Sequence, residues 1–251
     1  LTYFNRALHI DPELAVARWN RSFVHLLKGN WQQGWRDFEC RFDLPKWRSI
    51  YPHRIAGRRW DGSDVPDKSI LVHDEQGLGD TFQFLRYLPH VRKKCRRVIF
   101  ETRKELVDLL AGSPGIDQIV VRSAKAPPSV AYDLYIPLMS LAGLFGTSPE
   151  NIINTGSYLT APKDKVKEWN KRLPGQVTKV GIVWAGRPEH LNDANRSCTI
   201  DDVLTLFQLK EIHFIGLQKG PAAAQVENLN CTNFVNIGDN LNSFADTAGV
   251  I

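Results

Sequence analysis

From residue 69 onward the sequence alternates short apolar runs with longer amphipathic stretches, and no other feature limits the fold as much. The runs SILVHD, RVIFET, QIVVR and DLYIPL read as strands, with helical patterns near 80–93, 103–112 and 138–146. A strand apolar on both faces has to be covered on both, so strands spaced by helices imply a parallel, doubly wound sheet. Residues 147–176 carry three prolines and the helical KDKVKEWNKRL, and read as a bridge. A second series follows: strand KVGIVWAG, helix near 200–208, strand IHFIGLQ, helix near 221–229, strand NFVNIG. Two successive Rossmann-like units therefore predict an α/β chain with two domains, of which only the first part of the second is present.

Residues 1–44 have a different period. Phe4, Ala7 and Leu8 share one face of a helix that stops at Asp11-Pro12. Leu14, Ala17, Trp19, Phe23, Leu26 and Leu27 form a second stripe ending at Gly29, a natural C-terminal cap, and WQQGWRDFECRF makes a third short helix. Helix pairs punctuated in this way resemble tetratricopeptide repeats. Phe4, Ala7 and Pro12 match the end of one repeat, and Ala15, Gly29, Trp31 and Phe38 match the next. Gly34 and Arg41 stand where small alanines are expected, so the second unit reads as a degenerate terminal repeat; a generic helical hairpin explains the same pattern. Trp19, Trp31 and Trp35 sit at core spacing and need no ligand. The expected organisation is a helical segment over 1–44, a linker over 45–68, an N-terminal Rossmann-like domain over 69–160 and a partial C-terminal one over 161–251. Leu1 begins inside a helical pattern and Ile251 ends an apolar run, which reads as a piece of a longer protein.

Composition excludes several classes. No apolar run approaches the roughly 18–20 residues of a membrane-spanning helix, and no basic-then-apolar signal pattern opens the chain. Cys40, Cys95, Cys198 and Cys231 are scattered, which fits a reducing, cytoplasmic setting better than a disulfide framework. The seven histidines have no ligand spacing, so no metal is expected. A net charge of +5 includes a cluster of Lys46, Arg48, Arg54, Arg58 and Arg59. Without a groove-reading helix this reads as a solvated linker or a surface for an anionic partner, not as a nucleic-acid site. Neither a P-loop nor Gly-x-Ser-x-Gly is present, which disfavours nucleoside triphosphatases and hydrolases.

The segment DEQGLGDTF, at the end of the first strand, is the candidate site. It approximates the dinucleotide fingerprint Gly-x-Gly-x-x-Gly through Gly77 and Gly79, but the third glycine is Phe82. Asp80 would also take up the helix dipole and free N–H groups that a pyrophosphate needs. Glu101, at the end of the next strand, could mimic the ribose-binding acid. Asp80 and Gln83 have capping-box spacing, with Asp80 as the cap. A capping acid is held rigidly where open α/β sheets bind their ligands, so a cap and a general base are compatible roles. His73, beside Asp74 and Glu75 at the strand end, could line the cleft, as could His190 in the WAG loop, though a packed or surface histidine explains each as well.

The segments WDGS (60–63), DEQGLGDTFQFLRYLP (74–89), YDLYIPLMSL (132–141), VGIVWAG (180–186), NDANRS (192–197) and FADTAG (244–249) occur in a telling order. Together they resemble bacterial tetratricopeptide-repeat proteins with a glycosyltransferase domain related to the lipopolysaccharide heptosyltransferases, family 9. They are more distantly similar to O-linked N-acetylglucosamine transferases. The resemblance implies a GT-B fold and an inverting, metal-independent transfer from a nucleotide-sugar to a protein, lipid or glycan hydroxyl, with no cofactor. It places Asp80 as the catalytic base and Gly77 and Gly79 as clearance for the sugar. Ala185, Gly186 and Arg187 would touch the donor phosphates, Arg196 would stabilise the leaving diphosphate, and Gln218 is a further donor contact. The family's later Asp-Thr segment would lie past Ile251, and Asp246-Thr247 is not assigned to it, so the piece by itself is expected to be inactive. The rival reading is a repeat-based interaction scaffold, its partners being proteins, whose α/β part is inactive.

Overall fold

The computed structural model describes residues 1–45, 55–123, 125–154 and 156–251. Lys46, Arg48 and Arg54 of the basic cluster lie outside them. The chain divides into two compact units, Leu1–Leu159 and Thr160–Ile251.

The first unit opens with helices α1 (Thr2–Ile10), α2 (Ala15–Leu27) and α3 (Trp31–Phe38), then a 3-10 turn over Glu39–Asp43. Gly29 ends α2 with φ +78°, the left-handed turn its position predicts. Gly34 is required by contact: a Cβ there would lie 2.6 Å from Leu26 Cδ2 of α2, so even alanine is too large. Trp19, Phe23 and Phe38 interlock as an aromatic cluster between α2 and α3. The apolar stripe of α2 is narrower than its sequence suggests, for Leu27 is 88% exposed while Ser22 is buried.

Strands β1 (Arg58–Arg59), β2 (Val65–His73), β3 (Cys95–Thr102), β4 (Gln118–Val121) and β5 (Leu134–Pro137) pair in parallel in the order β1-β5-β2-β3-β4. Short helices α4 (Leu78–Phe84), α5 (Leu88–Arg92), α6 (Val107–Leu110) and α7 (Ser140–Leu144) supply the crossovers and covers. Ile70, Leu71 and Val72 of β2 oppose Val98, Ile99 and Phe100 of β3, and all six are fully buried. Leu71 and Ile99 face Ile55 and Tyr135 on one side of the sheet. The continuous apolar runs follow from this two-sided burial. The stretch expected as a bare linker, 45–68, supplies the edge strand β1 and the start of β2.

The second unit has helix α8 (Lys163–Arg172), parallel strands β6 (Thr178–Ile182), β7 (Ile212–Gly216) and β8 (Phe234–Asn236) in that order, and helix α9 (Phe244–Val250). The helices expected near 200–208 and 221–229 are instead 3-10 turns, Ile200–Gln208 and Pro221–Val226. Ile182, Trp184, Phe207, Phe214 and Val226 form one core cluster, and Trp169, Ile215, Ile237 and Leu241 another. Lys165 of α8 ion-pairs with Asp246 of α9 at 2.7 Å, and Gly249 packs on the Lys165 backbone. Among the described residues no helix is long and apolar enough to cross a membrane.

Candidate active site

In an open parallel sheet ligands collect outside the carboxyl ends of the strands, where strand order reverses. In the first unit that point lies between β2 and β5. β2 runs into His73, Asp74 and Glu75, each at most 2% exposed. This is an unusual density of buried titratable groups, and each is held. The Thr102 hydroxyl donates to Asp74 Oδ2 at 2.8 Å, and Arg122 lies 2.9 Å from Oδ1. Burial pushes the Asp74 carboxyl up, against the Thr102 hydroxyl and the Arg103 charge and backbone N–H. His73 stacks on Tyr135, and Glu101 at the end of β3 is fully buried, so it offers no open ribose contact.

Glu75 receives Arg41. The guanidinium forks onto the carboxylate, Nε to Oε2 at 2.7 Å and Nη2 to Oε1 at 2.8 Å, and donates to Ser140 Oγ at 2.7 Å. Arg41 comes from the helical segment, Glu75 from the end of β2, and Ser140 from just past β5. The point where strand order reverses is thus spanned by a protein cation. This adds to the missing third glycine as a reason that a dinucleotide does not suit this turn. Arg41, read from sequence as a misfit for a small alanine, is 1% exposed and rests on the rings of Phe38 and Phe42. The signal that could have found it is the ECRF run, a cation flanked by an acid and aromatics, paired with two acids ending an apolar strand.

The turn continues through Gln76 at φ +54°, a left-handed conformation rare for a side-chain-bearing residue. Arg103 donates to its carbonyl, while its own Nε2 is buried without a hydrogen-bond partner. Helix α4 then starts at Leu78 with Gly77 as N-cap. Asp80 is therefore the third helical residue and not the cap, which corrects the Asp80–Gln83 capping box expected from spacing. Its Oδ2 accepts the Gly77 N–H at 3.0 Å, the reciprocal half of a box whose cap has no side chain. Gly79 has open space where a Cβ would stand, and both glycines are exposed. Asp80 is half-buried, rigidly tied and accessible.

In the second unit the loop after β6 carries the other predicted residues. Gln218, 3% exposed, accepts the Trp184 and Ala185 N–H groups at 3.1 and 2.9 Å through Oε1. Its Nε2 donates to the Ala185 and Lys219 carbonyls at 3.1 and 2.7 Å. Its hydrogen-bonding capacity is filled by backbone, so it props the loop instead of contacting a ligand. The Gly186 N–H binds Ser197 Oγ at 2.8 Å, and Ser197 donates to Asp193 at 2.7 Å, which brings NDANRS against WAG. Arg187 is exposed and pairs with exposed Glu189, and Arg196 is exposed on the same loop. Asp246 is committed to Lys165, Ser243 and Asn242. Among the described residues no group of His, Cys, Asp and Glu is placed to hold a metal ion.

No family model matches the chain. It is 34% identical over 234 residues to Protein FlbA of Caulobacter vibrioides, a match covering 86% of this chain and 39% of that protein. The chain thus spans about two fifths of that relative's length. The crystal structure of the glycosyl transferase family 9 from Veillonella parvula superposes with a TM-score of 0.54 at 12% identity, over 76% of this chain and 74% of the other. That likeness establishes the fold: this is an α/β chain of parallel sheets, built on the plan of that glycosyl transferase.

Proposed function

We propose that the chain is part of a glycosyltransferase that moves a sugar from a nucleotide-sugar to an acceptor hydroxyl with inversion and without a metal. The observation that carries this reading is Asp80, an accessible carboxylate fixed by the Gly77 N–H at the carboxyl end of a central parallel strand. In this reading Asp80 accepts the acceptor's proton as its oxygen attacks the anomeric carbon. The bond from that carbon to the phosphate oxygen breaks, and the nucleotide departs with the bonding electrons. Negative charge then grows on the leaving phosphate, and the exposed Arg187 and Arg196 would neutralise it. The Arg187–Glu189 pair is exposed on both sides, so opening it costs little. Gly77 and Gly79 leave room for the sugar or acceptor to approach the backbone. The likeness in fold to a family 9 glycosyl transferase supports the transferase part of this reading. The acceptor is proposed to be a protein, lipid or glycan, with the N-terminal helices as a docking element.

The test is Asp80→Asn in the full-length protein. Asparagine keeps an oxygen for the Gly77 N–H and removes the base. Sugar transfer is expected to fall by about 10²–10⁴-fold with the melting temperature held. Unchanged transfer would remove Asp80 from the mechanism. A folded wild-type protein that neither binds nucleotides nor releases them from nucleotide-sugars would instead favour an inactive scaffold.

A further inference from the structure

We propose that Arg41, supplied by the N-terminal helical segment, is the positioning residue for the turn that presents Asp80. The inference deepens the transferase reading and rests on it for its catalytic consequence, but not for its structural one. The line of contacts is continuous. Arg41 forks onto Glu75, whose Oε1 also accepts the Met139 N–H at 3.0 Å, so one carboxylate is clamped from the turn after α3 and from the residues following β5 together. Gln76, next in the chain, is held in the left-handed region. Gly77 follows, and its N–H is the hydrogen bond that orients Asp80. Nothing in the local sequence favours a glutamine in that conformation, so it persists only where its neighbours are fixed on both sides. The fork fixes the near side, and Arg103, donating to the Gln76 carbonyl, the other.

A fully buried ion pair is often no more stabilising than apolar residues of the same size, because desolvation offsets the attraction. What it supplies is direction. The two parallel N–H···O bonds set the carboxylate's orientation as well as its distance, and a lysine, one point charge, cannot. The surrounding charges fit that purpose. Glu39 pairs with Arg41 at 3.0 Å and with Arg59, and Ser140 donates to Glu39 at 3.1 Å, so the guanidinium is anchored from behind.

Two variants of the full-length protein test this, Arg41→Lys and the pair Arg41→Met with Glu75→Gln, the glutamine keeping an acceptor for Met139. Three readouts apply: melting temperature, amide hydrogen exchange across residues 76–84, and nucleotide release from a panel of UDP-, GDP-, ADP- and CMP-activated sugars. Both variants are expected to exchange about tenfold or more faster over 76–84, with β3 still protected. They are also expected to lower kcat by about 10- to 100-fold with little change in donor KM, as misplacement of a reacting group does. Normal protection and normal kcat in a folded variant would overturn the proposal. So would full rescue by lysine, since charge balance alone would then suffice. If the wild-type protein releases no nucleotide, the transferase reading fails while the exchange data still decide the role of Arg41.

Discussion

Gln218 and the cysteines show what single side chains do here once burial is known. Gln218→Ala would strip partners from two N–H groups and two carbonyls around Trp184, Ala185 and Lys219. Leaving buried polar groups unsatisfied costs about 1–3 kcal/mol, so a clear drop in denaturant midpoint is expected. Equal midpoints for variant and wild type would show that the loop does not depend on this amide. The thiols divide in the same way. Cys40 is buried, its Sγ donates to the Ala15 carbonyl, and burial pushes it up to about 11. Cys198 is exposed. At pH 8 an aromatic disulfide reagent should label Cys198 in the folded protein, with Cys40 reacting only after unfolding. Prompt labelling of Cys40 would show that α2 and the turn after α3 open readily.

At the scale of elements, the α2–α3 contact is the tightest test of the helical segment. Gly34→Ala places a methyl against Leu26 of the facing helix, where side chain and backbone both crowd it. Alanine has the better helix propensity by about 1 kcal/mol, so stabilisation would be expected if propensity decided. Overpacking costs about 1–3 kcal/mol and should win, lowering the melting temperature. A rise would mean that α2 and α3 separate easily. What the sequence made legible follows the same physics. β2, β3, β5 and β7 were readable because strands buried on both faces must be apolar throughout, whereas β6 is exposed over its first four residues and buries only Ile182. The edge strand β1 was not, since two exposed arginines carry no apolar signal and only pairing with β5 defines them. The turns at 200–208 and 221–226 show helical periodicity but tighten to 3-10 geometry, a choice that tertiary packing makes. Asp80 was misplaced as a cap, because Gly77 lacks the side chain that normally announces one. Arg41 and Glu75 escaped because long charged residues are rarely fully buried, and their pairing spans 34 residues of chain.

Over the whole molecule, two clusters with no partner in common, one in each compact unit, should contribute to the response to acid. Burial raises Glu39, but Arg41 and Arg59 outweigh it and hold its carboxyl below the ordinary value of 4.5. Burial likewise raises Asp246, while Lys165, Ser243 and the Asn242 N–H bring it below 3.8. For an acid lowered by folding, the stabilising contribution is complete above the unfolded value and disappears as pH falls through the folded one. Stability should therefore decline from about pH 4.5 downward, with the Asp246 share following from about 3.8. Asp74 acts in the opposite sense: its carboxyl is raised by burial, so its contribution fades as pH rises and cannot cause loss in acid. Glu39→Gln and Asp246→Asn should each lower stability at pH 7 and flatten a different part of the acid limb. The variant curves should converge on wild type at the lowest pH, where both carboxyls are protonated. Because the two groups share no partner, their effects should add to within about 0.5 kcal/mol in the double variant. Urea unfolding at half-unit steps from pH 7 to 3 measures this. A double variant with an undiminished acid limb would place the acid sensitivity in other carboxylates.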